Sequence, residues 1–485
     1  MNCPSRRWTR SFVCSRSNVC NVAIVGGGIS GLAAAWELTA RRIPFVLYER
    51  APRLGGVIVT DTVDGYTIDA GPDALLTQKP AALALCRELG LAERLQPQSS
   101  RRTFVVRRQK LREMPEASVF GIPSRWTPFA TTTAFSWHGK LRMAAEVLMP
   151  SRANGHDESI ASFIGRRFGR EAVAYMAEPL LAGIHGGDPE QLSMRAAFPR
   201  FMELEAKYRS VIAGLRFARV TAQGSTSAGG RASAAPSPFV ALPDGMRELT
   251  AALAAALPAD ALHVGVGVDA IDRRGGEYRL RLTDGTTSTV SRVIVATPPR
   301  VATRLLATLD ERLGDRSARL SATSSAVTIA LGYRRGAIAH PLDGTGFVVP
   351  RREQFSIRAA SWVSSKWSGR APADRVLLRA YVGGASDPSA IEKSDDALIL
   401  ATIRDLARLM RITGEPEMAR VYRWRDATPQ LHVGHLEKMA ALDRELDGFP
   451  GLAVTASGFR GTGIADCVSD ARLQARNVAA FSSTS

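Results

Sequence analysis

Lysine is scarce in this chain. Only seven of the 63 basic residues are lysine, and against 46 acids the formal net charge is +17. Three explanations stay open for so much arginine: a codon bias, an anionic membrane surface, or an acidic substrate. Nucleic acid is disfavoured, because the arginine pairs (41–42, 101–102, 166–167 and 351–352 among them) are scattered and form no dense block. Long apolar runs are missing too. No stretch reaches the ~18 uninterrupted apolar residues of a membrane helix. The nearest, Leu249 to Ile271, is broken by Pro258, Asp260, His263 and Asp269. The cysteines are Cys3, Cys14, Cys20, Cys86 and Cys467, an odd number without C-x-x-C. That pattern suits reduced thiols in the cytoplasm and no structural zinc. Seven scattered histidines carry no H-E-x-x-H, so no metal site is expected.

What is present is a chain of 485 residues, 45% apolar and 22% charged, enough for two or three packed domains. Its organising stretch is Asn21 to Gly56. Val22 to Val25 reads as a buried parallel strand. Gly26-Gly27-Gly28-Ile29-Ser30-Gly31 follows as G-x-G-x-x-G at the turn into a helix over residues 30–42. The glycines permit the turn, the approach of a pyrophosphate and close helix–strand packing, while the helix N-terminus offers N–H groups to phosphate. Phe45 to Tyr48 is the second strand, and Glu49, 18 residues after Gly31, is placed to accept from ribose hydroxyls. Strand, turn, helix, strand and acid in this order predict a dinucleotide site.

Residues 1–20 are basic and free of acids. They resemble a transit peptide, or else are a tail or a mis-assigned start, and are expected to be disordered and dispensable for cofactor binding. Val57 to Ala70 reads as a hairpin around Asp64-Gly65. Gly71 after it permits close backbone approach, as a flavin ring would need. An amphipathic helix is expected over residues 80–95 and an arginine-laden hairpin over residues 101–115. Residues 116–210 carry helical periodicity, with Trp126, Phe129, Phe135 and Trp137 between or beside the helices. Near Arg125, Lys140 and Arg142 these aromatics suit either a membrane interface or a core. Gln223 to Ser237 is low-complexity and reads as a flexible insertion. His263 to Ile271 and Val293 to Val295 read as strands, and residues 326–385 as a mixed sheet able to line a cavity. Leu452 to Thr455 is a last strand, followed by a glycine-spaced loop and a helix over residues 464–480. The fold expected is therefore mixed α/β. A Rossmann-like domain is assembled from residues 21–80, 239–300 and 424–485. A mixed-sheet substrate domain takes residues 81–115, 211–238 and 301–423, and a helical subdomain takes residues 116–210.

Arg53-Leu54-Gly55-Gly56 gives E-x3-R-x-G-G, which resembles the flavoproteins that include amine oxidases, phytoene desaturases and protoporphyrinogen oxidases. Four further segments resemble the FAD-dependent protoporphyrinogen/coproporphyrinogen oxidase family of haem biosynthesis. They are Pro179 to Pro189 with Leu192-Ser193, Pro243 to Met246, Trp424 to His435, and Gly461 to Cys467. Leu431, Ser457, Thr462 and Ala465 depart from the family pattern. The resemblance implies a tightly held FAD contacted by Gly26 to Gly31, Glu49, Arg53, Gly55, Gly56, Val57, and Gly71, Pro72, Asp73 and Ala74. It implies the Val268 backbone at the adenine, and Trp424, Thr462, Gly463 and Ile464 by the flavin. Arg102, with Arg101 its close competitor, falls where the family faces a substrate propionate. The implied reaction is six-electron oxidation of a porphyrinogen in three two-electron steps, with O2 as acceptor giving H2O2. Protoporphyrinogen IX is the substrate preferred at this point and coproporphyrinogen III the alternative. Another flavin oxidase or desaturase, or a non-enzymatic FAD protein, stands behind both. No general base is assigned, because the cofactor carries the chemistry. A cytoplasmic enzyme with a peripheral contact on the inner membrane face, and a homodimer, are family expectations.

Overall fold

A computed structural model describes residues 22–115, 118–119, 122–123, 126–152, 155–224 and 237–481. The expected leader, most of the expected insertion, and Arg125 lie outside these residues.

The first body is a five-stranded parallel sheet. Its strand order is Leu262–Val264, Phe45–Glu49, Val22–Val25, Arg292–Val295, Leu452–Val454. Ile24 is flanked by Leu47 on one side and Ile294 on the other. All of Val22–Val25 is buried, as a strand covered on both faces must be. The sheet joins segments more than 400 residues apart, so the Rossmann-like domain is discontinuous. The helices Ile29–Ala40 and Ile464–Ala480 pack together over one face, with Ala33, Ala34, Ala471 and Ala475 in one core.

The stretch expected as one strand, His263 to Ile271, is two. Leu262–Val264 joins the parallel sheet, while Val268–Arg274 opens an antiparallel three-stranded sheet. Gly265, at φ +82°, turns the chain between them, a conformation β-branched neighbours would resist. The helix expected over residues 80–95 also stops early: Pro80–Glu88 is α-helical, and Ala92–Arg94 makes a separate 3-10 turn past Gly90 (φ +74°).

The second body is a seven-stranded mixed sheet. Its order is Met418–Pro429, Thr323–Arg334, Arg375–Gly383, Ile357–Trp362, Gly346–Val348, Phe104–Arg107, Lys110–Glu113. Period-two alternation divides its faces. Val327, Ile329, Leu331 and Tyr333 join one core with Trp362 and the helix Asp395–Met410. Thr328 and Ala330, on the same strand, face the first body.

The third body is helical, from Trp126–Thr131 to Val211–Gly224. The choice between core and interface for its aromatics is split by the structure. Phe129 and Phe135 are buried, whereas Trp137 is 71% exposed, near Leu141 at 67% and Leu148 at 83%. Arg167 and Glu146 form an ion pair with both side chains wholly buried. The carboxylate also accepts from the Ser210 hydroxyl and the Val211 N–H (2.9 Å), which is how a buried charge pair is tolerated. No helix among the described residues is long and apolar enough to cross a membrane.

Candidate functional site

The glycine turn is a cradle built of backbone. A Cβ on Gly31 would sit 1.8 Å from the Gly26 carbonyl oxygen, so only glycine lets the helix start this close to the strand. The Gly28 side of the turn is different. A Cβ there would meet only the Gly56 Cα, at 4.0 Å, which leaves room for a ligand against the backbone. The loop Arg53 to Gly56 closes that room from the other side. Gly55 N–H donates to the Gly27 carbonyl (2.8 Å) and the Arg53 guanidinium donates to the Gly56 carbonyl (2.8 Å). Helix Ile29–Ala40 begins without a side-chain cap and without an acid in its first turn, so its positive end faces the cradle. Glu49 folds back from its strand. One carboxylate oxygen accepts from Gly27 N–H (2.6 Å) and the other from Ala51 N–H (2.7 Å). An ionised carboxylate has about four acceptor positions, so two remain for ribose hydroxyls. An open, glycine-walled cradle at a helix N-terminus with a carboxylate at its rim fits the adenosine diphosphate half of FAD.

A second part of the site is made of side chains. Gly71 is pinned: a Cβ would lie 1.9 Å from the Val57 carbonyl oxygen. The Ala70 carbonyl accepts from three donors, the Thr328 hydroxyl (3.0 Å), the Arg379 guanidinium (3.2 Å) and the Trp424 indole N–H (3.2 Å). Arg379 also donates to the Gly71 carbonyl at 2.6 Å. Two residues on, Asp73 pairs with Lys366 at 2.9 Å. Burial alone would push the Asp73 carboxyl up, but Lys366 and Arg379 outweigh it and hold it at about 2. Asp69 pairs with Arg370 at 3.1 Å and accepts from Thr60. Burial nevertheless raises its carboxyl above the ordinary range.

The remaining family-like segments tie the three bodies together. Ser193 N–H donates to the Leu431 carbonyl (2.8 Å), and Val433 N–H to the Gln191 carbonyl (2.9 Å). Asp157 accepts from both the Ser193 hydroxyl and Gly434 N–H. The His435 ring nitrogen Nε2 lies 2.6 Å from the Phe459 carbonyl, and burial holds that imidazole below its usual range, so it donates as a neutral ring. The Ser457 hydroxyl bonds the Thr462 carbonyl (3.2 Å) just before the helix Ile464–Ala480, whose N-cap is Gly463. Burial pushes the Cys467 thiol up to about 12, which makes it a packing residue rather than a nucleophile. The Val268 carbonyl accepts from Arg50 (3.4 Å) at the mouth of the parallel sheet.

Arg102 stands apart from this constellation. It precedes the sixth strand of the seven-stranded sheet, and Trp424 is on the first. Five strand spacings separate them, roughly 24 Å. Its guanidinium pairs with Glu113 (2.7 Å) and with Asp343. Thr328, Arg370 and Arg379 were not singled out in the sequence. The usable signal was an arginine inside the apolar run Leu377 to Val382, since a cation in a central strand is rarely buried without a role or a partner.

The model of the family described as flavin containing amine oxidoreductase matches residues 29–479. A coproporphyrinogen III oxidase of Bacillus subtilis (strain 168) is 36% identical over 455 residues, covering 92% of this chain and 95% of that protein. A chloroplastic protoporphyrinogen oxidase of Nicotiana tabacum is 32% identical over 482 residues, 94% of this chain and 85% of that protein. Among solved structures, an Exiguobacterium sp. 255-15 protein provisionally called protoporphyrinogen oxidase superposes with a TM-score of 0.83 at 30% identity, covering 95% and 99% of the two chains. Putrescine oxidase shares the fold at 17% identity and a TM-score of 0.66. The chain belongs to the flavin-containing amine oxidoreductase family, in its protoporphyrinogen/coproporphyrinogen oxidase branch, and its cofactor is FAD.

Proposed function

We propose that the chain oxidises coproporphyrinogen III to coproporphyrin III in haem biosynthesis, with O2 as terminal acceptor. The observation that carries this reading is the order of likeness. The relative of Bacillus subtilis named for coproporphyrinogen III is 36% identical, and the plant relative named for protoporphyrinogen is 32% identical. This reverses the preference for protoporphyrinogen IX drawn from the sequence alone, where no residue separated the two substrates.

When bound, FAD supplies the two-electron acceptor that three successive oxidations of the macrocycle need. The chain's own residues bind and orient. The Gly26-to-Gly31 turn and the Arg53-to-Gly56 loop hold the pyrophosphate, and Glu49 the ribose. Gly71, Pro72, Asp73 and Ala74 form one wall of the flavin site, with Val57 beside them. Trp424, Thr462, Gly463 and Ile464 form the facing side. Arg102 meets a propionate only if it leaves Glu113 and Asp343, which an arriving carboxylate could induce at an exposed pair of low net stability. The exposed Trp137, Leu141 and Leu148 favour a peripheral contact of the helical body with the inner membrane surface of the cytoplasm.

The test is porphyrin fluorescence in air on adding FAD-loaded protein to coproporphyrinogen III and, in parallel, to protoporphyrinogen IX. The expected result is faster fluorescence growth than the spontaneous rate, greater with coproporphyrinogen III. Faster growth with protoporphyrinogen IX would reverse the assignment. No acceleration in either, with FAD bound, would reject porphyrinogen oxidation.

A further inference from the structure

Behind Gly71 lies a group of charges of which only Asp73 enters the proposed function. Lys366, Arg370 and Arg379 meet Asp69 and Asp73 there. Lys366 pairs with Asp73 and Arg370 with Asp69, whereas Arg379 makes no ion pair among the described residues. Arg370 and Arg379 are 1% and 6% exposed. The Nε of Arg379, and the Nε and Nη1 of Arg370, are buried and have no hydrogen-bond acceptor among the described residues. A cavity of about 10 Å³, lined in part by Asp69, Asp73 and Arg379, lies between them. Asp61, on the neighbouring hairpin, is engaged by the Tyr422 hydroxyl at 2.8 Å. Arg379 reaches out of this group to the carbonyls of Ala70 and Gly71, the backbone read above as the wall of the flavin site.

A buried charge without full compensation acts over a longer range than a solvated one, because little water screens it. Retaining such a charge is expensive unless something benefits from it. A flavin that accepts two electrons gains negative charge, and a fixed cation nearby stabilises that reduced state more than the oxidised one. We propose that Arg379, the cation of this group left without an ion-pair partner among the described residues, is a positioning residue that holds the Ala70–Gly71 wall and raises the reduction potential of the bound flavin. The inference rests on the reading of Gly71 to Ala74 as flavin contacts. It does not depend on which porphyrinogen is oxidised.

The test uses FAD-loaded wild type with Arg379→Gln, Arg379→Lys and Lys366→Met. Gln keeps a donor for the carbonyls and loses the charge; Lys keeps the charge. The flavin midpoint potential is measured by equilibration with a redox dye, and affinity for sulfite, which adds to electron-poor flavins, by bleaching of flavin absorbance. The expected result is a more negative potential in Arg379→Gln, with sulfite binding weakened about tenfold. Arg379→Lys should stay close to wild type, and Lys366→Met should fall between. Coincident potentials in wild type and Arg379→Gln would overturn the proposal. So would an unchanged potential with a raised KM for coproporphyrinogen III, which would make Arg379 a carboxylate-binding residue instead. Should Arg379→Gln fail to retain FAD, Lys366→Met alone decides, by the same two readouts. Neither readout needs a porphyrinogen, so failure of the substrate reading stays distinguishable.

Discussion

The two halves of the cofactor site are built on opposite principles. The cradle is nearly all backbone, and its parts lie within one stretch, Gly26 to Gly56. The wall is a backbone turn at Ala70 and Gly71 held by dispersed side chains: Thr328, Arg379 and Trp424 come from three strands of the seven-stranded sheet, and Lys366, from the short helix Val363–Lys366, holds Asp73 beside it. On the function proposed above, the first half binds a group shared by every dinucleotide, for which a short glycine pattern is enough, and the second half sets the environment of the reacting ring, which depends on where distant strands put particular charges.

If that contrast is right, the cradle should fail all at once and the wall by degrees. The largest effect is expected from Gly31→Val. Its Cβ would fall on the Gly26 carbonyl, a backbone atom that cannot move aside. FAD should be lost completely, seen as an absent flavin absorbance in purified protein, whereas a flavin-replete variant would show that the turn is looser than described. Next is Arg370→Met, which strips the partner from the buried Asp69. Breaking a buried pair costs about 3 kcal/mol, read as a fall in chemical-denaturation stability with FAD still bound in the folded fraction. Unchanged stability would mean that Asp69 takes up a proton instead. The smallest effect is a pH dependence. Asp73 titrates at about 2 in the folded chain, below its ordinary value of 3.8. Its depressed folded pKa gives stability that is fully present above about pH 5 and is lost as pH falls toward 2, in total about 2 kcal/mol. Asp73→Asn should therefore flatten the stability profile between pH 5 and pH 3, and an unaltered slope would place the acid sensitivity elsewhere.

Much of the cradle was legible in advance because its chemistry is local. Val22–Val25, the glycine turn, Phe45–Glu49 and the helix Ile464–Ala480 fall where apolar runs and glycines put them. Local pattern was weaker where partners decide. His263 to Ile271 looks continuous, yet its ends pair with different sheets, and only the pairing distinguishes them. Arg379 is one arginine among many in the sequence, and its meaning comes from Ala70, more than 300 positions away. Arg102 meets Glu113 within its own hairpin, but its pairing with Asp343, more than 200 positions away, is one that no spacing in that hairpin reveals.

The most direct measurement is anaerobic mixing of FAD-loaded protein with coproporphyrinogen III, followed by flavin absorbance in a stopped-flow cell. The account predicts that the flavin bleaches within turnover time and that admitting O2 restores it. A flavin that stays oxidised, while porphyrinogen persists unchanged, would contradict the claim that this site passes electrons from porphyrinogen to FAD.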